Sequence, residues 1–298
     1  MTLPPSPRHS QDRQSQAISF PLPPLYKQSS LGGHNITIGL DPDILTIGGA
    51  TISWHGLLMA LAIIAGVGFS IYISRNGDLS PETVYTPVLW ALVGGMLGAR
   101  ATHVIDNFDH YSENLGEIFL LWEGGLGWYG GLIGGALAAA ICARIKHLPL
   151  AKLLDFAAPG VLVGLSVGRI GCLLNGDSHG IATDLPWAIT YTNTPFAPND
   201  IAGHPSPVYE IIWNILVVGV LLRLRSIFKQ DGELFLYMIA LYSFGRFFIS
   251  WTRDETEVLG ALHQAHLISI ILFATAVSSA IYIRIKGKSE QEKSISSG

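Results

Sequence analysis

Apolar runs of about 20 residues recur through most of this 298-residue chain, and no other feature restricts its fold so severely. A run of that length crosses the hydrocarbon core of a bilayer as a helix. Lipid offers no water to backbone N–H and C=O groups, so only helices and closed barrels can span it. The runs fall near residues 51–74, 84–105, 125–145, 153–174, 207–226, 233–252 and 260–283, and they are too long and continuous for barrel strands. They predict an all-α integral membrane protein of about seven transmembrane helices, with a small outward-facing loop region between the fourth and fifth. Composition agrees. Only 13% of the residues are charged, against about 25% in a soluble domain, too few to cover a water-exposed surface.

Three segments follow from the same pattern. Residues 1–50 are rich in Pro, Ser and Gln and are expected to be mostly irregular, with a short amphipathic piece near Ile36–Leu45. Residues 51–285 form the transmembrane domain, and residues 286–298 a tail. No signal-peptide apolar region precedes residue 50, so the first helix is expected to act as an uncleaved insertion signal. Basic residues cluster after the first, third and fifth helices (Arg75; Arg144, Lys146 and Lys152; Arg223, Arg225 and Lys229) and in the tail, whereas Asn175–Ser206 contains none. The positive-inside rule therefore puts the N-terminus outside and the C-terminus in the cytoplasm. A net charge of −4 without a basic run gives no reason to expect a nucleic-acid partner.

Glycines recur four apart, as in Gly94 and Gly98, Gly130 and Gly134, and Gly160, Gly164 and Gly168. This spacing lets helix backbones approach closely. Polar residues then stand out where lipid should be. Arg100, Arg169 and Arg246 fall inside or at the ends of spans, and a central arginine costs about 2.5–3.5 kcal/mol on insertion scales. For Arg100, a side chain that snorkels to headgroups is an equal reading. Arg169 and Arg246 both lie in the outer half of their helices, and guanidinium matches the oxygens of a lipid phosphate.

The loop after the fourth helix, NGDSHG, brings Asn175, Asp177, His179 and Gly180 to the same boundary. His179 reads as an ordinary solvated loop residue. The following DLPWAITY reads as a short interfacial strand, and Ser206 as an N-cap with Pro207 at the first helical position. His55 in SWHGLL and Tyr129 in GWYGG lie near the outer face, and a histidine beside two arginines is a candidate base. Cys142 and Cys172 both sit in apolar stretches, so no disulfide framework is expected, and Cys172 reads as a packing residue. The spacing of the histidines shows no metal pattern and no nucleotide phosphate loop is present; neither a metal nor a cofactor is expected.

The ordered segments resemble the bacterial phosphatidylglycerol–prolipoprotein diacylglyceryl transferases over roughly residues 50–285. GRIGCLLNGDSHG…LPWAI resembles the family signature GRIGN-F-x-NGE…G…PW, keeping Gly168, Arg169, Gly171, Asn175, Gly176, Gly180, Pro186 and Trp187. HPSPVYE is similar to HPSQLYE, GAR matches Gly98–Arg100, and YSFGRFFISWTRDE resembles RF-x-x-E-x-x-RE, with Gln264 before the last helix. The chain departs from the pattern at several polar positions. His55 replaces a tyrosine, Tyr129 a histidine, Cys172 an asparagine, Asp177 a glutamate and Ser250 a glutamate.

The resemblance implies transfer of the diacylglyceryl group of phosphatidylglycerol to the lipobox cysteine thiol of preprolipoproteins, releasing glycerol phosphate, in a multi-pass protein of the bacterial inner membrane. A related lipid transferase with another donor or acceptor, or a non-catalytic lipid-binding or transport protein, is the alternative. On this reading Arg169 holds the lipid phosphate and Arg246 the phosphate or leaving group. His55 and Tyr129 handle protons, and Asn175, Asp177 and Gly180 shape the site, with Arg100 among the substrate-binding residues. Glu210 either orients an arginine or is a helix-start carboxylate without a role.

Overall fold

The computed structural model describes residues 36–47, 50–75, 79–120, 127–228, 230–255, 257–259 and 262–296; the expected irregular arm before residue 36 lies outside them. The described chain is mainly helical: α1 (Trp54–Ser74), α2 (Pro81–Asp106), the short α3 (Phe108–Glu113), α4 (Trp128–Ile145), α5 (Leu150–Asn175), α6 (Ser206–Leu224), α7 (Glu233–Ser250) and α8 (Gln264–Ser296). Six of these, α1, α2, α5, α6, α7 and α8, contain stretches long and apolar enough to cross a membrane, and α4 is a shorter apolar helix. The protein is an all-α membrane protein. Helix α8 runs on through most of the segment read as a tail.

Local sequence explains where the helices begin and end. Ser53 caps α1 by accepting the Gly56 N–H at 3.1 Å, and Ser80 caps α2 with Pro81 in the first turn, satisfying N–H groups that lack a helical partner. Helix α5 stops at Gly176, whose φ of +83° is left-handed backbone that glycine adopts without penalty. One cap differs from expectation. Helix α6 starts at Ser206, but the Ser206 hydroxyl donates to the Thr252 carbonyl at 3.0 Å instead of capping its own helix. It ties α6 to the end of α7.

Two helix pairs meet backbone to backbone. An added Cβ on Gly98 would strike the Gly130 carbonyl, and on Gly134 the Gly94 carbonyl, so α2 and α4 touch along their glycine rows. Gly66 meets Gly160 and Gly164 in the same way, joining α1 to α5. Hydrophobic attraction between helices is weak in lipid, and close van der Waals packing of small residues replaces it. Ala158, Leu162, Val217, Leu221, Leu234 and Met238 form a buried core among α5, α6 and α7. Large apolar residues such as Ile64, Val93 and Leu97 face outward, as lipid contact requires.

Short strands gather at the chain segments flanking the helix ends. β1 (Ile36–Ile38) runs parallel to β4 (Ile189–Tyr191), which pairs antiparallel with β5 (Ala202–Gly203). β2 (Asp43–Ile47) and β3 (Ala50–Ser53) form a hairpin leading into α1, and β6 (Glu257–Leu259) pairs with β7 (Leu262–His263) between α7 and α8. The piece near Ile36–Leu45 is therefore strand where it is regular. Strand β4 lies inside the DLPWAITY segment read as a strand.

Candidate functional site

A cavity of about 1020 Å³ is lined by α1, α2, α4, α5, α7 and α8. Along α1 it reaches from His55 to Ser70, about 22 Å at 1.5 Å per residue. Its polar lining is concentrated at one end, where His55, Arg169, Cys172, Asp177, Arg246 and Arg253 converge. Most of its remaining lining is apolar. The polar end is assembled from the start of α1, the end of α5, the end of α7 and the loops between them. In an up-and-down bundle these ends lie on the same side.

Glu210 organises this end. It is 2% exposed, and its carboxylate takes Arg169 Nε on one oxygen and Arg246 Nη1 on the other at 2.6 Å, with Arg253 Nη1 at 3.5 Å. Glu255 joins Arg246 at 2.8 Å and Arg253 at 2.7 Å. Three guanidinium groups therefore share two carboxylates, and the cluster retains one positive charge. A buried charge is tolerable only when paired, and this pairing holds three forks aimed at one region. Burial, with Arg246 adding to it, pushes the Arg253 guanidinium below its ordinary pKa.

The second set of contacts centres on Asp177. His55 Nδ1 lies 3.4 Å from Asp177 Oδ2, and Asn175 Nδ2 donates to the same oxygen at 2.9 Å. Arg169 Nη1 donates to Cys172 Sγ at 3.6 Å and to the Ser178 hydroxyl at 3.5 Å. The donor atoms of His55, Cys172 and Asp177 all lie within 4.8 Å of one another and are the group among the described residues that could hold a metal ion. Sequence spacing could not show this set, because α1 supplies one member and the end of α5 the others.

Gly180 pairs its backbone with Arg253, and a Cβ there would fall 2.5 Å from both the His204 and Thr252 carbonyls; only glycine lets these strands close. Tyr191, buried nearby, donates to the Leu173 carbonyl at 2.8 Å. Burial raises its phenol pKa, with Asp177 and Cys172 adding to the rise. His179 Nε2 lies 3.4 Å from Asp254, and its other ring nitrogen sits 3.1 Å from the Gly176 carbonyl. It is a bonded loop residue rather than a merely solvated one.

Two expected site residues stand elsewhere. Arg100, 6% exposed, donates to the carbonyls of Glu117 and Ile118 at 2.5 and 2.8 Å and covers the Tyr111 ring; it does not line the cavity. Its charge secures the 3₁₀ turn Leu115–Phe119. Tyr129 is 52% exposed and accepts a hydrogen bond from Gln264 Nε2. It lies outside the cavity lining, so it does not face His55 across it. Gln264 in turn lines a smaller cavity of about 410 Å³, together with Arg246, Asp254 and Glu255. Cys172, read as a packing residue, lines the main cavity. Arg253 and Glu255 were assigned no role from sequence. The signal for Arg253 was present in the matched WTRDE stretch, but only the fold shows both turning back onto Arg246.

The family model described as prolipoprotein diacylglyceryl transferase matches residues 42–282. Curated relatives named phosphatidylglycerol–prolipoprotein diacylglyceryl transferase include those of Trichormus variabilis, 33% identical over 82% of this chain and 90% of the relative, and Dehalococcoides mccartyi, 36% identical over 84% and 96%. The protein of that name from Clostridioides difficile is 34% identical over 84% of this chain and 98% of its own.

Proposed function

The chain belongs to the prolipoprotein diacylglyceryl transferase family, and from that premise we propose how its arginine–glutamate chamber carries out the transfer. The protein is a multi-pass bacterial membrane transferase that moves a diacylglyceryl group from phosphatidylglycerol to a prolipoprotein. The acceptor atom is the lipobox cysteine thiol, and the membrane is the inner membrane. The chamber faces outward, toward exported substrates, with the N-terminus outside and the C-terminus in the cytoplasm. The low basic content of Asn175–Ser206 supports that orientation.

The acyl chains occupy the apolar length of the main cavity, and the phosphate rests at its polar end against Arg169, Arg246 and Arg253. The cluster's single excess charge is what a phosphodiester needs. The glycerol headgroup occupies the smaller cavity, whose lining also includes Arg246, and Gln264 and Asp254 can bond its hydroxyls. The thiol arrives from the side of His55 and Asp177, opposite the leaving oxygen. A carbon–sulfur bond forms, the carbon–oxygen bond breaks, and glycerol phosphate leaves with the bonding electrons.

Negative charge grows on the leaving phosphate as that bond breaks. Donors already held in place by Glu210 stabilise it without reorganising. His55, held near Asp177, takes the proton of the attacking thiol, whose ordinary pKa of about 8.5 leaves little thiolate at neutral pH. Tyr129 acts by positioning Gln264.

One observation carries this reading: three arginines are fixed on a buried glutamate at the mouth of a long apolar cavity. Purified protein, phosphatidylglycerol and a lipobox peptide should yield peptide heavier by one diacylglyceryl group, with glycerol phosphate released. Mass spectrometry reads both products. Arg246→Ala should abolish both, and lipid binding without either product from the wild type would refute the reading.

A further inference from the structure

Buried serines in membrane helices commonly bond to their own backbone. Ser70, Ser74, Ser166 and Ser250 do so here, each donating to a carbonyl three or four residues back at 2.8–2.9 Å. Ser243 does not. It is 1% exposed, and its Oγ has no hydrogen-bond partner among the described residues. A hydroxyl left unpaired in a water-poor interior is costly, so Ser243 needs an acceptor that arrives from outside the chain.

Its position says which acceptor. Ser243 lines the main cavity and lies three residues before Arg246, so the two share a face of α7, about 4.5 Å apart along the axis. Helix α7 ends at the polar end of the cavity, which puts Ser243 one step deeper than the guanidinium. The rest of the deeper lining is apolar apart from Ser269 on α8 and Ser70 on α1, and the Ser70 hydroxyl is already bonded.

We propose that the Ser243 hydroxyl donates to an ester carbonyl of the diacylglyceryl donor, and that this bond selects acyl esters over alkyl ethers. The proposal rests on the transfer reading above. With the phosphate at Arg246, the next acceptors inward along such a lipid are the ester carbonyls that join its chains to glycerol. An ether lipid has the same chains, charge and headgroup but no carbonyl there. A serine hydroxyl needs only rotation about Cα–Cβ to turn toward the cavity. Two contacts on one helix face, Arg246 to phosphate and Ser243 to carbonyl, then bracket the glyceryl carbon that sulfur attacks and hold it in line.

The test compares diacyl phosphatidylglycerol with its dialkyl ether analogue, matched in chain length, as donors to a lipobox peptide. The full-length protein in detergent is the enzyme. The wild type should favour the diacyl lipid about tenfold in kcat/KM, the worth of one neutral hydrogen bond. Ser243→Ala should lose about tenfold with the diacyl lipid and less than about twofold with the ether, bringing the two donors together. Its rate with the ether also reports that the variant is folded. Ser166→Ala removes a hydroxyl bonded within its own helix and outside the cavity lining, and should keep the wild-type ratio. Equal use of both donors by the wild type overturns the contact. So does an equal loss with both in Ser243→Ala, which is what a buried water on the hydroxyl would give. Native mass spectrometry of lipid binding to the same proteins separates the contact from the chemistry. Preferential diacyl binding that Ser243→Ala abolishes, without lipidated product from either donor, sinks the transfer reading and leaves the contact standing.

Discussion

Glu210→Gln is the substitution that bears most directly on the chamber. Glu210 is 2% exposed and its two oxygens serve Arg169, Arg246 and Arg253. Glutamine keeps the shape but replaces one accepting oxygen with an NH₂ that points its protons at a guanidinium. The cluster then holds three positive charges against Glu255 alone, an excess of two instead of one. Removing one partner of a buried ion pair costs about 3–5 kcal/mol because the other charge stays buried. The guanidiniums are 13–20% exposed, so the lower end, about 3 kcal/mol, is expected for stability. Catalysis should suffer separately. Loss of one preorganised donor costs about 10²–10³ in rate, and Glu210 orients at least two. We therefore expect kcat to fall about 10³-fold while KM for phosphatidylglycerol changes less, since the extra positive charge still attracts the lipid. Initial rates of peptide lipidation across lipid concentrations, with denaturant unfolding in the same detergent, measure both. A Glu210→Gln enzyme within threefold of wild-type kcat and within about 1 kcal/mol of its stability would show that the arginines organise themselves.

Three further outcomes follow from the same geometry. Arg253→Ala should lower transfer about 10²-fold without loss of fold, because Glu255 keeps Arg246 as a partner; product mass spectra measure the rate and circular dichroism the fold. Gly98→Leu would drive a side chain into the Gly130 carbonyl, so α2 and α4 must part, at a cost of about 1–3 kcal/mol; a lower midpoint of unfolding is expected, and an unchanged one would mean that the helices do not touch there. Burial lowers the pKa of His204 from its ordinary 6.5, so its neutral form stabilises the fold fully above pH 6.5. That contribution is lost as pH falls toward the depressed folded value. His204→Gln should accordingly flatten the acid limb of stability below about pH 6.5, measured by unfolding at a series of pH values.

Much of the architecture was legible because lipid leaves the backbone few choices. Run length and the absence of charge were enough to place helices at 54–74, 206–224 and 233–250 within a few residues of their observed ends. The glycine rows announced close helix contacts, and the fold supplies them between α2 and α4 and between α1 and α5. Arg169 and Arg246 stood out because a bilayer tolerates such residues only with a reason.

What the sequence could not show is direction and company. Glu210 sits 41 positions from Arg169 and 36 from Arg246, so no helical spacing links them, and only the fold shows one carboxylate serving both. Arg100 and Arg169 are the same residue in similar apolar settings. One turns to carbonyls at a helix end and the other into a cavity, because the neighbouring chain differs. His55 lies far along the chain from Cys172 and Asp177, so no spacing shows that the three side chains meet. Hydropathy is a property of consecutive residues and is written in the chain itself. A site is a property of where side chains from distant segments point, and only the packed bundle decides that.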